Sequence, residues 1–123
     1  MAKTVLVVDD SASTRQTVSF VLGRNGYSVV AAVDGIDALK KIAEEAIDLI
    51  VTEVNMPNLS GADMLEEVRK SEKTADTPVV ILTIENDQDV RQRLQRLGYA
   101  DWLEKPLKAD GLISSVASAL AVT

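Results

Sequence analysis

Short apolar runs alternate with helix-like segments five times along this chain, and this alternation is the strongest constraint on its fold. The runs are rich in valine, isoleucine and leucine, which is typical of parallel strands buried on both faces. Because strand–helix crossovers are right-handed, such repeats favour an open parallel sheet with helices on both sides. We therefore predict one doubly wound α/β domain over residues 1–123, with five helices and five strands in the order 2-1-3-4-5.

Turn and capping residues predict where these segments begin and end. Asn25-Gly26 ends the first helix, which begins near Ala12. Asp34 is a predicted N-cap of the second helix, and Ser60 opens the third. The side chains expected to face inward from the second helix are Ile36, Leu39, Ile42 and Ala43. The predicted strands are Thr4–Val8, Tyr27–Ala32, Leu49–Thr52, Val79–Leu82 and Ala100–Glu104.

Composition narrows the possible functions. The formal net charge of -6 argues against nonspecific nucleic-acid binding, which needs a cationic surface. The chain has no cysteine and no histidine, which excludes thiol chemistry and disulfides and nearly excludes zinc sites. No apolar run approaches the ~20 residues that span a bilayer, and the start of the chain does not resemble a signal peptide. We expect a cytoplasmic protein that binds neither membranes nor nucleic acid.

Polar residues follow or close the predicted strands at the carboxyl edge of the sheet, where α/β folds place their chemistry. They are Asp9, Asp10, Glu53, Thr83 and Lys105. Taken singly, each has an ordinary explanation, such as a helix cap, a surface acid, a strand-closing threonine or a solvated turn. Their joint placement at one edge instead favours a site for a divalent cation and a phosphoryl group.

The chemistry expected of this cluster is metal-assisted phosphoryl transfer. Mg²⁺ takes hard oxygen ligands and keeps several waters beside one or two carboxylates. We predict that Asp10 and Glu53 bind the ion directly and that Asp9 acts through water. The backbone carbonyl of Asn55 is a further predicted ligand. The threonine and the lysine of the cluster supply a hydroxyl and an ammonium group for phosphoryl oxygens while a carboxylate attacks in line.

Four segments resemble, in order and spacing, the receiver domain of bacterial response regulators, the CheY-like fold. They are Val-Leu-Val-Val-Asp-Asp-Ser at 5–11, Asn-Met-Pro-Asn-Leu-Ser-Gly at 55–61, Pro-Val-Val-Ile-Leu-Thr at 78–83 and Leu-Glu-Lys-Pro-Leu at 103–107. The resemblance covers nearly the whole chain. The strand order 2-1-3-4-5 is the one known for this family, so it is not independent evidence.

The resemblance implies a receiver in a two-component or chemotaxis-like phosphorelay. We expect a stand-alone regulator, although an excised domain would have the same sequence. Its partners would be a sensor histidine kinase and a downstream target protein, and its cofactor would be Mg²⁺. Such a domain is not an enzyme for other substrates, since it catalyses only its own phosphorylation and dephosphorylation. We expect a monomer or a weak homodimer.

Individual residues match positions of known role in that family. Asp9 and Asp10 fall on the acidic pair that binds Mg²⁺, while Thr83 falls on the switch hydroxyl and Lys105 on the family lysine. Trp102 falls on the aromatic position that reports activation, although a core aromatic of the fifth strand would look the same.

The resemblance also implies a regulatory pair and an output surface. Asn55 and Glu85 match two variable positions that tune dephosphorylation. In the family, helix 4, strand 5 and helix 5 form the output surface. There Arg91, Arg93 and Arg96 form either a docking patch for an acidic partner or merely a solvated helix face.

Glu53 departs from the family, which phosphorylates an aspartate at this position. Glutamate moves the carboxylate outward by about one C–C bond, ~1.5 Å, and a misplacement of ~1 Å can cost on the order of 10²-fold in rate. Two readings stay open. Glu53 either reaches toward Thr83 and Lys105 and partly imitates a phosphoaspartate, or it pairs with Lys105 and leaves a phosphorylation-independent binding module.

Two rival classes share the predicted fold. A small phosphotransferase or phosphatase would turn over a phosphorylated substrate, whereas a receiver at best phosphorylates itself once. A flavodoxin-like cofactor binder needs a phosphate-cradling loop after strand one, where Asp9 and Asp10 would instead repel a phosphate.

Overall fold

The computed structural model describes residues 2–121. The strands are β1 (Thr4–Val8), β2 (Ser28–Ala32), β3 (Leu49–Thr52), β4 (Val79–Thr83) and β5 (Asp101–Glu104). The helices are α1 (Ala12–Arg24), α2 (Gly35–Glu44), α3 (Gly61–Lys70), α4 (Gln88–Leu97) and α5 (Ala109–Ala121). All strand pairs are parallel, and the order β2-β1-β3-β4-β5 confirms the prediction.

The sheet is buried on both faces. Alternate residues of each central strand point to opposite sides, and both sets of side chains are buried. One face packs against α2, α3 and α4 through a cluster that includes Leu6, Ile50, Ile81, Leu65 and Leu94. The other face packs against α1 and α5 through a cluster that includes Val7, Val51, Leu82, Leu22 and Leu112. The continuous apolar strands of the sequence are explained by these two cores.

The predicted helix starts are confirmed by hydrogen bonds. The side chain of Asp34 accepts the N–H of Asp37 at 2.8 Å, and the Ser60 hydroxyl accepts the N–H of Asp63 at 3.1 Å. Each side chain satisfies an N–H group that has no partner inside its helix. These caps fix the N-termini of α2 and α3 beside the carboxyl edge of the sheet.

The predicted inward face of α2 is partly wrong. Ile42 is buried and Leu39 packs half-buried against the core, as predicted. Ile36 is instead 58% exposed and Ala43 is exposed, and the other buried residues of the helix are Gly35 and Ala38. The reason is a close approach at the start of the helix, where a Cβ on Gly35 would lie 2.6 Å from the carbonyl oxygen of Leu59. Because glycine faces the β3–α3 loop, the isoleucine that follows it turns toward solvent.

Three strand boundaries also differ slightly from the prediction. β2 begins at Ser28, β5 begins at Asp101 and β4 ends at Thr83, each one residue later than expected. Shifts of this size are usual at element ends, and they do not change which residues reach the carboxyl edge.

Candidate functional site

The carboxyl ends of β1 and β3 lie side by side. Val8 pairs with Thr52 in the parallel register, and the N–H of Glu53 donates to the carbonyl of Val8 at 2.9 Å. Asp9 and Glu53, which follow these strands, are buried, with exposed fractions of 1% and 6%. Two carboxylates are thus held out of water at one edge, which requires a compensating positive charge.

Lys105 supplies this positive charge. Its Nζ lies 2.9 Å from Asp9 Oδ2 and 2.9 Å from Glu53 Oε1. The lysine follows β5, and its backbone N–H donates to the carbonyl of Thr83 at 3.1 Å. Only 21% of the Lys105 side chain is exposed. Solvent and salt therefore screen these contacts less than they screen a surface ion pair.

The remaining carboxylate oxygens of the two acids bind backbone N–H groups. Asp9 Oδ1 accepts the N–H of Ser11 at 2.8 Å, and Glu53 Oε2 accepts the N–H of Val54 at 2.6 Å. All four oxygens therefore have a donor from the protein. Because buried charges are stable only when they are paired and hydrogen-bonded, these contacts hold both side chains in defined positions.

Burial and the two acids act on Lys105 in opposite directions. Burial alone would lower the pKa of its ammonium group. Hydrogen bonds to Glu53 and Asp9, together with the negative charges of both acids, outweigh burial and raise the pKa of Lys105 above its ordinary value. The lysine is therefore charged at neutral pH and remains charged well into the alkaline range.

Thr83 is buried at the end of β4, but no hydrogen bond joins it to Glu53 in the described part of the chain. Its Oγ1 instead accepts the N–H of Glu85 at 3.0 Å. Glu85 Oε1 in turn accepts the side-chain amide of Asn55 at 3.1 Å. Asn55 and Glu85 are thus bonded to each other, and Glu85 links Thr83 to the β3–α3 loop.

The oxygen atoms predicted to bind Mg²⁺ are of the right chemical type, but those of Asp9 and Glu53 already contact Lys105 and backbone N–H groups. Asp10 is exposed, whereas Asp9 and Glu53 are buried. Within residues 2–121, no group of three acidic side chains is placed to hold a metal ion. The positive charge shared by the two buried acids is the ammonium group of Lys105.

Two residues near the site were not predicted. The Nη1 of Arg15 donates to the backbone carbonyl of Asp9 at 2.7 Å, and no sequence motif indicates this contact. Asn58 has a positive φ of 70°, and its amide donates to Asp34 Oδ2 at 2.7 Å. A Pro-Asn turn could have indicated the second residue, because asparagine tolerates left-handed backbone.

Trp102 lies between the core and the surface. It packs against the cluster on the α2–α4 side of the sheet, and its ring centroid lies 5.4 Å from that of Tyr99. The guanidinium carbon of Arg91 lies 4.5 Å from the Trp102 ring centroid, which is within the range of a cation–π contact. Trp102 is thus both a core aromatic and a surface residue.

The three arginines of α4 have different surroundings. Arg91 covers Trp102, whereas Arg93 binds α3 through Asp63 at 2.7 Å and Glu66 at 3.8 Å. Arg96 is exposed and forms no ion pair within residues 2–121. The predicted basic patch therefore consists mainly of Arg91 and Arg96.

Comparisons with known proteins agree with the fold. Residues 5–117 match the response regulator receiver domain family. The solved structure of the chemotaxis protein CheY4 of Vibrio cholerae is similar, with a TM-score of 0.92 at 36% identity. That alignment covers 98% of this chain and 100% of CheY4.

The curated relatives are longer proteins, and this chain matches only a part of each. The phosphate regulon transcriptional regulatory protein PhoB of Escherichia coli K12 is 34% identical over 116 residues, which cover 94% of this chain and 51% of PhoB. The hybrid signal transduction histidine kinase D of Dictyostelium discoideum is 32% identical over 118 residues, which cover 96% of this chain and 8% of the kinase. The chain thus spans about half of PhoB and a small part of the kinase. Among residues 2–121, no helix has the length and apolar character needed to cross a membrane.

Proposed function

This chain belongs to the response regulator receiver domain family, and from that premise we propose that it is a receiver of a two-component or chemotaxis-like pathway whose phosphorylation is impaired by Glu53. The observation that carries the proposal is the arrangement of the Glu53 carboxylate. One of its oxygens lies 2.9 Å from Lys105 and the other accepts the N–H of Val54 at 2.6 Å.

This arrangement opposes transfer of a phosphoryl group to Glu53. An acceptor carboxylate must direct an oxygen in line with the leaving group of the phosphoryl donor. In Glu53, both oxygens face protein donors, and only 8% of the side chain is exposed. The extra methylene adds a displacement of ~1.5 Å, and ~1 Å can cost on the order of 10²-fold. We expect phosphorylation to be at least about 10²-fold slower than with aspartate.

Glu53 also places a carboxylate 2.9 Å from Lys105, which supports partial imitation of a phosphorylated site. A phosphoryl group carries about -1.5 to -2 charges and more acceptor oxygens than a carboxylate. Full conversion of a two-state switch needs about 5.5 kcal/mol of differential stabilisation, and Thr83 is bonded to Glu85 rather than to Glu53. We therefore expect partial activation at most, without catalysis on any external substrate.

Receiver domains pair with sensor histidine kinases and downstream effectors. For this chain we infer that the effector contacts α4, β5 and α5, where Arg91, Arg96 and Trp102 lie. Reversing Arg91 and Arg96 to glutamate should weaken binding of an acidic effector, whereas Arg24→Glu on α1 should not. Arg93 is left in place because its contact with Asp63 joins α3 to α4. If the Arg91/Arg96 double variant and Arg24→Glu bind the effector with equal affinity, this surface is not the effector site.

The cytoplasmic location and the monomeric or weakly dimeric state stay predictions. The Mg²⁺ ligand set of Asp9, Asp10, Glu53 and the Asn55 carbonyl also stays a prediction. Receiver domains bind Mg²⁺ at the acceptor site, but the proposed impairment depends on the Glu53 carboxylate rather than on the ion.

Beryllofluoride, a phosphoryl mimic, tests the proposed function. Trp102 is the one tryptophan of the chain, so its fluorescence reports this region alone. When beryllofluoride is titrated in the presence of Mg²⁺, the Trp102 emission of the Glu53→Asp variant should change until the site is saturated. The emission of the unsubstituted chain should not change. An equal response of both proteins would contradict the proposal. Effector binding that is the same in both proteins, with or without the mimic, would favour a phosphorylation-independent binding module.

A further inference from the structure

We propose that Lys105 is the resident counter-ion of the acidic site and that Glu53 is the residue that holds it there, so that Mg²⁺ binds this chain only weakly. The inference rests on the assignment of Glu53 to the acceptor position in the proposed function. It goes further because it concerns the cation of the site rather than the phosphoryl group.

The position of the ammonium group carries the inference. Its Nζ is 2.9 Å from one oxygen of Asp9 and 2.9 Å from one oxygen of Glu53, so it bridges the two acids. Their other oxygens accept backbone N–H groups. A divalent ion that bound these carboxylates would have to share oxygens already used by protein donors. It would also lie close to the positive charge of Lys105, which repels it.

The length of Glu53 explains why the ammonium group stays between the acids. The glutamate side chain reaches Lys105 with one oxygen while the other returns to the N–H of the next residue, Val54. Aspartate would withdraw the carboxylate by ~1.5 Å, so at least one of the two contacts would lengthen from the same backbone position. Glu53→Asp should therefore weaken the ion pair with Lys105 and leave space for a cation.

Asp10 does not compensate for the two occupied acids. It is exposed at the edge of the site, and no third acidic side chain within residues 2–121 joins Asp9 and Glu53 around a common point. Mg²⁺ gives up its waters reluctantly and needs near-octahedral geometry. One exposed carboxylate together with the predicted Asn55 carbonyl is therefore a weak ligand set for it.

Isothermal titration with MgCl₂ alone, without any phosphoryl donor, tests the inference on four proteins. They are the unsubstituted chain, Glu53→Asp, Lys105→Met and the control Lys108→Met. Lys108 is an exposed lysine in the same loop, outside the ion-pair network, so its removal changes the net charge equally. Glu53→Asp and Lys105→Met should bind Mg²⁺ at least about tenfold more tightly than the other two proteins.

Thermal unfolding gives a second readout, because Lys105→Met leaves two buried acids without their counter-ion and could unfold. Mg²⁺ should raise the unfolding midpoint of Glu53→Asp, and of Lys105→Met where it folds, but not that of the unsubstituted chain or Lys108→Met. The inference is overturned if the unsubstituted chain binds Mg²⁺ as tightly as Glu53→Asp. It is also overturned if a folded Lys105→Met binds no more tightly than Lys108→Met.

These results separate the inference from the proposed function. Weak Mg²⁺ binding together with efficient phosphorylation of the unsubstituted chain would refute the proposed function alone. Tight Mg²⁺ binding without phosphorylation would refute the inference alone.

Discussion

Replacing Gly61 with alanine should damage the junction between β3 and α3, on which the position of Glu53 depends. A Cβ on Gly61 would lie 2.2 Å from the carbonyl oxygen of Glu53 and 3.0 Å from the Cα of Val54. Real Cβ atoms essentially never approach other atoms within 3.0 Å, so the backbone must move. The N–H of Gly61 donates to the carbonyl of Val54 at 2.8 Å, and moving α3 outward stretches this bond.

The expected cost of this substitution comes from two effects. Overpacking of a well-packed site typically costs about 1–3 kcal/mol, and a weakened hydrogen bond adds about 1 kcal/mol. The higher helix propensity of alanine offsets up to about 1 kcal/mol of this cost. We therefore expect Gly61→Ala to lower the free energy of unfolding by about 1–3 kcal/mol. Urea denaturation followed by circular dichroism measures this change.

Gly111→Ala is the matched control, because Gly111 also lies in the first turn of a helix. A Cβ there meets no atom within 4 Å among residues 2–121, so the substitution should stabilise the protein by about 0.5–1 kcal/mol. If Gly61→Ala is as stable as Gly111→Ala, the close packing of the β3–α3 junction is refuted.

Three further substitutions or conditions probe contacts around the site. Asn58→Ala should lower the free energy of unfolding in urea by about 1–2 kcal/mol, because alanine is strained at φ 70° and the bond to Asp34 is lost. Asn58→Gly should lower it less, and a larger loss for glycine than for alanine would refute this reason. The stability that Lys105 contributes is complete below its unfolded pKa of about 10.4 and should be lost as pH rises through its raised folded pKa. Lys105→Met should lack this alkaline loss, and parallel stability–pH curves would contradict the assignment. Arg91→Ala should change the emission of Trp102 and cost about 0.5–1 kcal/mol, whereas Arg96→Ala should leave the emission unchanged; equal spectra would exclude the ring contact in solution.

The strand order and the strand-end cluster could be predicted because both follow from local pattern. Apolar runs mark strands that are buried on both faces, and the residue after each run must lie at the carboxyl edge. For the same reason Asp9 and Glu53 were expected to meet, as the pairing of Val8 with Thr52 shows. Caps such as Asp34 were predictable because their hydrogen bonds span only three residues.

Contacts between distant segments could not be predicted in the same way. The outward position of Ile36 depends on how closely Leu59 approaches Gly35, and helix periodicity carries no information about that loop. Likewise, Thr83 could in principle have faced Glu53, but a bond to the nearby N–H of Glu85 holds its hydroxyl. Local side-chain bonds of this kind compete with longer-range ones.

The sharing of one ammonium group by two acids was only partly predictable. The pairing of Glu53 with Lys105 was one of two readings, but the simultaneous contact with Asp9 joins residues 96 positions apart. That contact depends on the side-chain conformation of Lys105 in the folded loop. The sequence predicted that Asp9, Glu53 and Lys105 lie at this edge, whereas the structure determines which of their atoms bind.

Intact-protein mass spectrometry after incubation with Mg²⁺ and acetyl phosphate tests most directly whether Glu53 has lost the acceptor role. Glu53→Asp should gain the mass of one phosphoryl group, and the unsubstituted chain should keep its original mass under the same conditions. A phosphoryl group mapped to Glu53 in the unsubstituted chain, formed as fast as on Glu53→Asp, would contradict the proposed impairment.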